Sequence, residues 1–90
     1  MEKIKLFTND TYLILEFLYE NKSRDNLVRL TQTEISEVLD MHRGKINTNF
    51  KSLIENGYLE QIKGHNGKYV LTNQAIKTVE IFRKANNIKD

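Results

Sequence analysis

The amino-acid sequence predicts a mainly α-helical domain with a small antiparallel β-hairpin, formed by a chain of 90 residues. Residues 30–59 have the apolar spacing and end signals of two helices joined by a tight turn. Residues 58–63 and 68–72 are strand-like runs separated by Gly64-His65-Asn66-Gly67, whose Asn-Gly pair favours a hairpin turn. Proline is absent and glycine is sparse, so no linker is indicated. We therefore expect a single domain over residues 1–90.

The composition excludes several classes of protein. The chain has no cysteine, which excludes a disulfide scaffold and thiolate metal ligands. No apolar run approaches the roughly 18 residues of a membrane-spanning helix. The N-terminal residues lack the apolar region of a signal peptide. We therefore expect a cytoplasmic protein that does not associate with membranes.

Charge is distributed unevenly along the chain, although the net charge is only +2. Residues 41–90 contain nine basic and four acidic residues, whereas residues 31–40 contain three acidic residues and no basic one. Two stretches, residues 41–54 and 61–79, contain no acidic residue. Basic charge concentrated on two elements favours a polyanionic partner, with ordinary surface lysines as the alternative.

The first predicted helix follows a short lead-in over residues 1–7. Residues 8–10, Thr-Asn-Asp, supply a cap and a first-turn acid. Residues 11–21 are apolar on more than one face of the helix. The core of so small a domain takes one of these faces, so the other is a candidate dimer contact. A polar turn over residues 22–26 and a strand-like run over residues 27–30 follow.

The next helix has a complete set of start signals. Thr31 and Glu34 form a capping box, in which each side chain covers the other residue's free amide. Leu30 before the cap and Ile35 inside the helix have the spacing of a hydrophobic staple. The apolar residues expected to face the core from this helix and the following corner are Ile35, Val38, Leu39 and Met41.

The second helix of the pair has an apolar face and a clear end. The residues expected to face the core are Ile46, Phe50, Leu53 and Ile54. Asn56 and Gly57 end the helix, because Gly57 takes the left-handed conformation readily and Tyr58 can then contact Leu53 in a Schellman-type cap. Residues 31–57 are thus predicted to form a helix-turn-helix.

A last helix follows the hairpin. Thr72 is predicted to cap this helix, which covers residues 73–86. Its apolar stripe consists of Ala75, Ile76, Val79 and Phe82. Residues 86–90 are expected to form a frayed tail. Within the hairpin, Leu59 and Ile62 cannot share one face of a regular strand, so the alternation there is imperfect.

The stretch TQTEISEVLDMHRGKINTNFKSLIENGYLEQIKGHNGKYVLTNQAIK resembles the MarR-like and related prokaryotic winged-helix transcription regulators. The shared pattern is a capped helix, a turn with one apolar plug, a polar-fronted second helix ending near Gly, and a basic hairpin closed by Leu71-Thr72. The resemblance covers residues 8–85. It implies a winged helix-turn-helix fold with a three-helix core, a wing over residues 58–72 and a C-terminal helix.

The resemblance also implies a function, which is sequence-specific binding to double-stranded DNA. Residues 42–56 would lie in the major groove as the recognition helix, and residues 63–68 on the flanking backbone or minor groove. Arg, Lys and Asn are side-chain types that hydrogen-bond to guanine and adenine edges. The positions where the family places base contacts are Arg43, Lys45, Asn47 and Thr48. The predicted DNA-binding residues are Gln32, His42, Arg43, Gly44, Lys45, Asn47, Thr48, Lys51, Lys63, His65, Asn66 and Lys68.

The start of the second helix is predicted to be poorly capped. Arg43 and Lys45 lie at the positive end of the helix dipole, and Gly44 costs about 0.5–1 kcal/mol relative to Ala. His42 occupies the position at which the resembled family usually has a Ser or Thr cap. We expect bound phosphate to offset these costs, with simple fraying at the surface as the alternative.

The sequence contains no motif of an enzyme, a metal site or a cofactor site. His42 and His65 have no Asp or Glu at metal-ligand spacing, and no phosphate-binding loop or nucleophile motif occurs. We expect a transcription regulator that forms a homodimer through residues 8–21 and 73–86. Two alternatives stay open: a winged-helix module that docks protein, and a plasmid- or phage-type replication or excision accessory protein. The sequence identifies no small-molecule effector.

Overall fold

The structure is a computed structural model that describes residues 9–64 and 67–88. The elements are the helices α1 (Asn9–Glu20), α2 (Gln32–Leu39), α3 (Arg43–Glu55) and α4 (Asn73–Ile88), and the strands β1 (Leu27–Arg29), β2 (Leu59–Gln61) and β3 (Lys68–Leu71). The architecture is mainly helical with a small antiparallel sheet. This confirms the prediction of a mainly α fold with a small antiparallel β component. Among the helices described, none is both long and apolar enough to cross a lipid bilayer. The lead-in and the predicted Thr8 cap lie outside the described residues.

The three strands form one antiparallel sheet with β3 in the centre. Val28 of β1 and Gln61 of β2 both lie opposite Tyr69 of β3. The predicted hairpin is confirmed, but β2 ends at Gln61 and is shorter than the predicted run to residue 63. The pairing of β1 with the hairpin did not follow from the sequence, because nothing local relates these distant segments.

The hydrophobic core lies between the helices and one face of this sheet. Its buried members are Ile14, Leu15, Leu18, Val28, Ile35, Ile46, Phe50, Leu53, Tyr58, Leu59, Tyr69, Leu71, Ala75 and Val79. The Phe50 ring meets the Tyr69 ring edge-on, with 4.8 Å between their centroids. This contact fixes α3 against the central strand, since edge-to-face pairs prefer a defined geometry.

Two of the predicted core positions are wrong. Val38 is 64% exposed and Ile54 is 37% exposed. Each lies next to a residue that does pack on the core, Leu39 and Leu53 respectively. Consecutive helical residues differ by about 100° in direction. At these two positions the helix directs one residue of the pair into the core and the other toward solvent.

The start of α2 and the corner after it follow the predicted local signals. The Thr31 hydroxyl accepts a hydrogen bond from the Glu34 amide at 3.1 Å, and the Thr31 amide donates to the Glu34 carboxylate at 2.8 Å. Asp40 ends the helix in the left-handed conformation, with φ of 54°. Met41 then packs against the core and donates its amide hydrogen to the Ser36 carbonyl. The capping box and the apolar corner residue are therefore confirmed.

The end of α3 is tied to the start of α4. The Tyr58 amide donates to the Leu53 carbonyl at 2.9 Å and the Gly57 amide to the Ile54 carbonyl at 3.2 Å, which is the predicted Schellman pattern. Gly57 has φ of +81°, a conformation that favours glycine. The Thr72 hydroxyl donates to the Gly57 carbonyl and accepts from the Ala75 amide, which confirms its role as a cap.

Helix α4 packs along α1 and is longer than predicted. Its backbone is helical through Ile88, so the expected frayed tail is wrong for residues 86–88. The Phe82 ring stacks on Tyr12 with 4.7 Å between centroids, so α4 covers part of the second apolar side of α1. Burial, together with the nearby Glu16 carboxylate, raises the pKa of Tyr12.

Arg83 is the polar link between α4 and α1. Its guanidinium donates to the Glu16 carboxylate at 3.1 Å and to the Glu20 carboxylate at 2.7 Å. The same group lies 4.7 Å from the centre of the Tyr19 ring, a cation–π arrangement. Burial opposes the charge of Arg83, but the hydrogen bond with Glu16 and the charges of both carboxylates raise its pKa overall.

Candidate nucleic-acid interface

The first half of α3 presents a polar face to solvent. Ile46 and Phe50 point into the core, which leaves the remaining positions of these turns outside. The exposed residues of this face are His42, Arg43, Gly44, Lys45, Asn47, Thr48 and Lys51. The first turn of α3 contains no acidic residue. All seven positions were predicted to point outward, and that orientation is confirmed.

His42 is the cap of α3. Its Nδ1 atom accepts a hydrogen bond from the Gly44 amide at 3.0 Å, and its carbonyl accepts the amides of Lys45 and Ile46. The predicted poorly capped helix start is therefore wrong: an imidazole nitrogen does what a Ser or Thr oxygen usually does. A Cβ added at Gly44 would lie 3.2 Å from Nδ1, so the glycine leaves room for the ring. In the sequence, the feature that could have indicated this cap is Gly44, two positions after His42.

The cations of the α3 face are not equivalent. Lys45 Nζ lies 3.0 Å from Asp10 Oδ2 in the first turn of α1, and both side chains are about half exposed. Within the part of the chain that the structure describes, Arg43 and Lys51 form no ion pair. Arg43 and Lys51 therefore present unpaired positive charge to solvent, whereas the charge of Lys45 is partly neutralised.

A second contact joins the same turns of α1 and α3. Thr11 is 4% exposed, and its hydroxyl is hydrogen-bonded to the Asn49 side-chain oxygen. The Asn49 amide group in turn donates to the Lys45 carbonyl at 2.8 Å. The start of α1 thus contacts the Lys45 ammonium directly and is linked to the Lys45 carbonyl through the Asn49 side chain. The site residues predicted from the sequence did not include Asp10, Thr11 and Asn49. No local sequence pattern relates the start of α1 to α3.

Two shallow grooves meet beside the start of α3, and Gln32 and Arg43 line both. One groove lies between the helices of the pair and is lined by Gln32, Ser36, His42, Arg43, Gly44 and Asn47. The other lies between the start of α2 and the hairpin and is lined by Thr31, Gln32, Thr33, Arg43, Gln61, Gly67 and Tyr69. Five predicted site residues are therefore brought together, while Lys45, Thr48, Lys51, Lys63 and Lys68 line neither groove.

Gly67 holds the hairpin against the start of α2. Its φ is +77°, and an added Cβ would lie 3.1 Å from Thr31 Cγ2 and 3.4 Å from the Thr31 amide nitrogen. The end of the hairpin turn therefore rests on the α2 cap, next to Arg43. Lys63 is exposed and Lys68 is half-buried on this hairpin. The predicted site residues His65 and Asn66 lie outside the described residues.

The chemistry of this surface is that of hydrogen-bond donors and positive charge. Arg43 offers a planar guanidinium and Lys51 a point charge, while Asn47 both donates and accepts. Across residues 9–64 and 67–88, no group of three or more His, Asp or Glu side chains is placed to hold a metal ion. The exposed groups of this surface are therefore hydrogen-bond donors, hydrogen-bond acceptors and positive charges.

The chain matches no protein-family model and no curated protein. Its structure is similar to that of the reduced, Fe(II) form of a CO-sensing protein from R. rubrum, with a TM-score of 0.64 and 24% sequence identity. The match covers 72% of this chain and 33% of that chain, so this chain spans about a third of its length. At this identity the likeness concerns the fold alone.

Proposed function

We propose that this chain is a winged helix-turn-helix protein that binds double-stranded DNA in a sequence-specific manner. The observation that carries the proposal is the α3 face, which exposes polar and basic side chains while its acid-free stretch extends from residue 41 to residue 54. The major groove of B-DNA is about 12 Å wide and admits one α-helix with its side chains. Helix α3 is the recognition helix in this proposal, and the β2–β3 hairpin is the wing.

The spacing of the exposed side chains supports this assignment. Arg43, Asn47 and Lys51 follow one another at intervals of four residues, so they line one side of α3. Arg pairs with guanine and Asn with adenine through two hydrogen bonds each. We assign base reading to Arg43 and Asn47 near the helix start, with Thr48 beside them, and a phosphate contact to Lys51 further along.

The groove between α2 and the hairpin provides the contacts that position the helix. This groove is lined by Gln32 and Thr33 at the start of α2 and by Gln61 of β2. Polar side chains at helix starts commonly bind backbone phosphate. In this proposal these polar side chains fix the depth of α3 in the major groove of the DNA. Lys63 and Lys68 of the wing contact the flanking DNA backbone.

We also propose that the protein acts as a homodimer, as a cytoplasmic transcription regulator of a prokaryote. The support is a set of apolar side chains on the two terminal helices that remain exposed: Leu13 at 47%, Ile81 at 64% and Phe82 at 38%. A dimer through residues 8–21 and 73–86 would cover them. Sedimentation equilibrium at micromolar concentration then gives a species of twice the 10.6 kDa chain mass, and a purely monomeric profile contradicts this part of the proposal.

The alternative of a protein-docking module has less support on α3. The cores of protein interfaces are depleted in charged residues and enriched in aromatic ones, whereas the exposed positions between His42 and Lys51 carry polar and basic side chains apart from Gly44. A replication or excision accessory protein of a plasmid or phage would use the same DNA-binding face.

The salt dependence of DNA binding tests the proposal. Binding to a labelled duplex pool is measured at several salt concentrations, because each neutralised phosphate contributes about 0.9 to the slope of log affinity against log salt. The proposal predicts binding at low salt with a slope of several units. Absence of binding at low salt, or binding that salt does not weaken, would contradict it.

A further inference from the structure

Asp10 is a carboxylate placed on the basic face of α3 by a helix other than α3. Its Oδ2 atom lies 3.0 Å from Lys45 Nζ. The neighbouring residue, Thr11, is buried and hydrogen-bonded to Asn49 of α3. This adjacent contact anchors the first turn of α1, so Asp10 stays within reach of Lys45.

The position of this carboxylate matters because backbone phosphates and Asp10 compete for one ammonium group. If the Lys45 ammonium moves to a phosphate, its partly exposed ion pair with Asp10 is replaced by an ion pair with that phosphate. The Asp10 carboxylate is then left unpaired beside a polyanion. Arg43 and Lys51 lose no such partner on binding, since neither forms an ion pair within the described residues. Lys45 therefore contributes less to phosphate binding than either of the other two cations.

We propose that Asp10 lowers the sequence-independent affinity of this protein for DNA by holding the Lys45 ammonium away from phosphate. The proposal rests on the proposed function and adds to it a residue outside the helix pair and the wing. Phosphate contacts strengthen binding to every sequence equally and carry no sequence information. When one cation makes no phosphate contact, the base contacts contribute a larger share of the affinity. The ratio of specific to sequence-independent affinity then rises.

The test compares the wild-type protein with Asp10→Asn on a duplex of random sequence over a range of salt concentrations. The variant frees Lys45, so it binds more tightly at low salt, with a slope steeper by about 0.9. Its advantage over the wild type then shrinks about 3.5-fold between about 50 and 200 mM salt. Asparagine suits the first turn of a helix as a polar residue, and circular dichroism of both proteins verifies that they are equally folded.

Two further variants show whether the effect passes through Lys45. Lys45→Met removes the whole gain of Asp10→Asn, so the Asp10→Asn/Lys45→Met double variant binds no more tightly than Lys45→Met alone. Asp25→Asn is the matched control, since it removes one exposed carboxylate from the loop between α1 and β1 and changes the net charge equally. It produces a smaller gain than Asp10→Asn.

The outcomes separate the two proposals. If the wild-type protein does not bind the duplex at low salt, the proposed function fails. If the wild type binds with a steep salt slope but Asp10→Asn binds equally well, the role of Asp10 is contradicted and the proposed function stands. A gain that persists in the Asp10→Asn/Lys45→Met double variant, or that Asp25→Asn reproduces in full, also contradicts the role of Asp10.

Discussion

The Nδ1 atom of His42 accepts a hydrogen bond from the Gly44 amide, so the proposed recognition helix carries its own cap. This contact satisfies one of the amides that the first turn of a helix leaves without an intrahelical partner. Helix α3 is consequently formed at its start before any partner binds. Preorganisation of this kind lowers the ordering cost of binding.

Replacing the His42 cap weakens the protein. His42→Ala removes the acceptor and lowers the free energy of unfolding by about 0.5–2 kcal/mol, whereas His42→Asn restores a capping side chain and costs much less. Chemical denaturation of the two variants beside the wild type measures the difference. A His42→Ala variant as stable as the wild type would show that the imidazole cap does not stabilise α3.

Gly67 and Gly64 form a matched pair for the hairpin. Both have positive φ, but an added Cβ at Gly64 meets no atom of the described residues within 4 Å, whereas one at Gly67 lies 3.1 Å from Thr31 Cγ2. A residue other than glycine in this conformation costs about 1–3 kcal/mol. Gly64→Ala is expected to lose only this backbone part, and Gly67→Ala to lose more because the hairpin must also move away from α2.

Thermal and chemical unfolding of the two glycine variants gives the comparison. The excess loss in Gly67→Ala measures the contact between the hairpin and the α2 cap. A loss in Gly64→Ala as large as that in Gly67→Ala would mean that this contact contributes nothing to stability.

Lys51 is expected to contact phosphate and not bases. Lys51→Ala therefore weakens binding to all duplex sequences about equally and reduces the salt slope by about 1. The side chain is exposed and forms no ion pair with the described residues, so the thermal midpoint is unchanged. Fluorescence anisotropy on two unrelated duplexes checks this. A loss confined to one duplex would assign Lys51 to base reading instead.

Arg83 joins α4 to α1 through two carboxylates and an aromatic ring. Arg83→Met removes the pairs with Glu16 and Glu20 and lowers the free energy of unfolding by about 1 kcal/mol, since partly exposed ion pairs contribute about 0.2–1 kcal/mol each. Lys84→Met is the control, because the exposed Lys84 has no ion pair within the described residues. If both variants are equally stable, the Arg83 contacts do not hold α4 in place.

Local signals predicted the ends of the elements. The box at Thr31, the Schellman pattern at Gly57 and the cap at Thr72 each depend on residues a few positions apart in the chain, and all are confirmed. Two predictions of which side chains face the core were wrong. Val38 and Ile54 are apolar and each lies next to a residue that packs on the core, but both side chains point toward solvent.

Contacts between segments that are distant in the chain could not be predicted from the sequence. The pair of Asp10 with Lys45 and the hydrogen bond of Thr11 with Asn49 require the packing of α1 on α3. No spacing rule relates such positions. The candidate face of α3 was predictable because its residues lie on one helix. The contacts that α1 makes with this face were not predictable.

We propose that α3 reads DNA sequence, and selecting bound duplexes from a random pool is the sharpest test of this role. The wild-type protein is expected to enrich a defined motif. Arg43→Ala, at a cost of about 1–3 kcal/mol in affinity, is expected to relax the preference at one position of that motif. Binding without enrichment of any motif, or an identical motif from Arg43→Ala, would contradict the proposed role of α3.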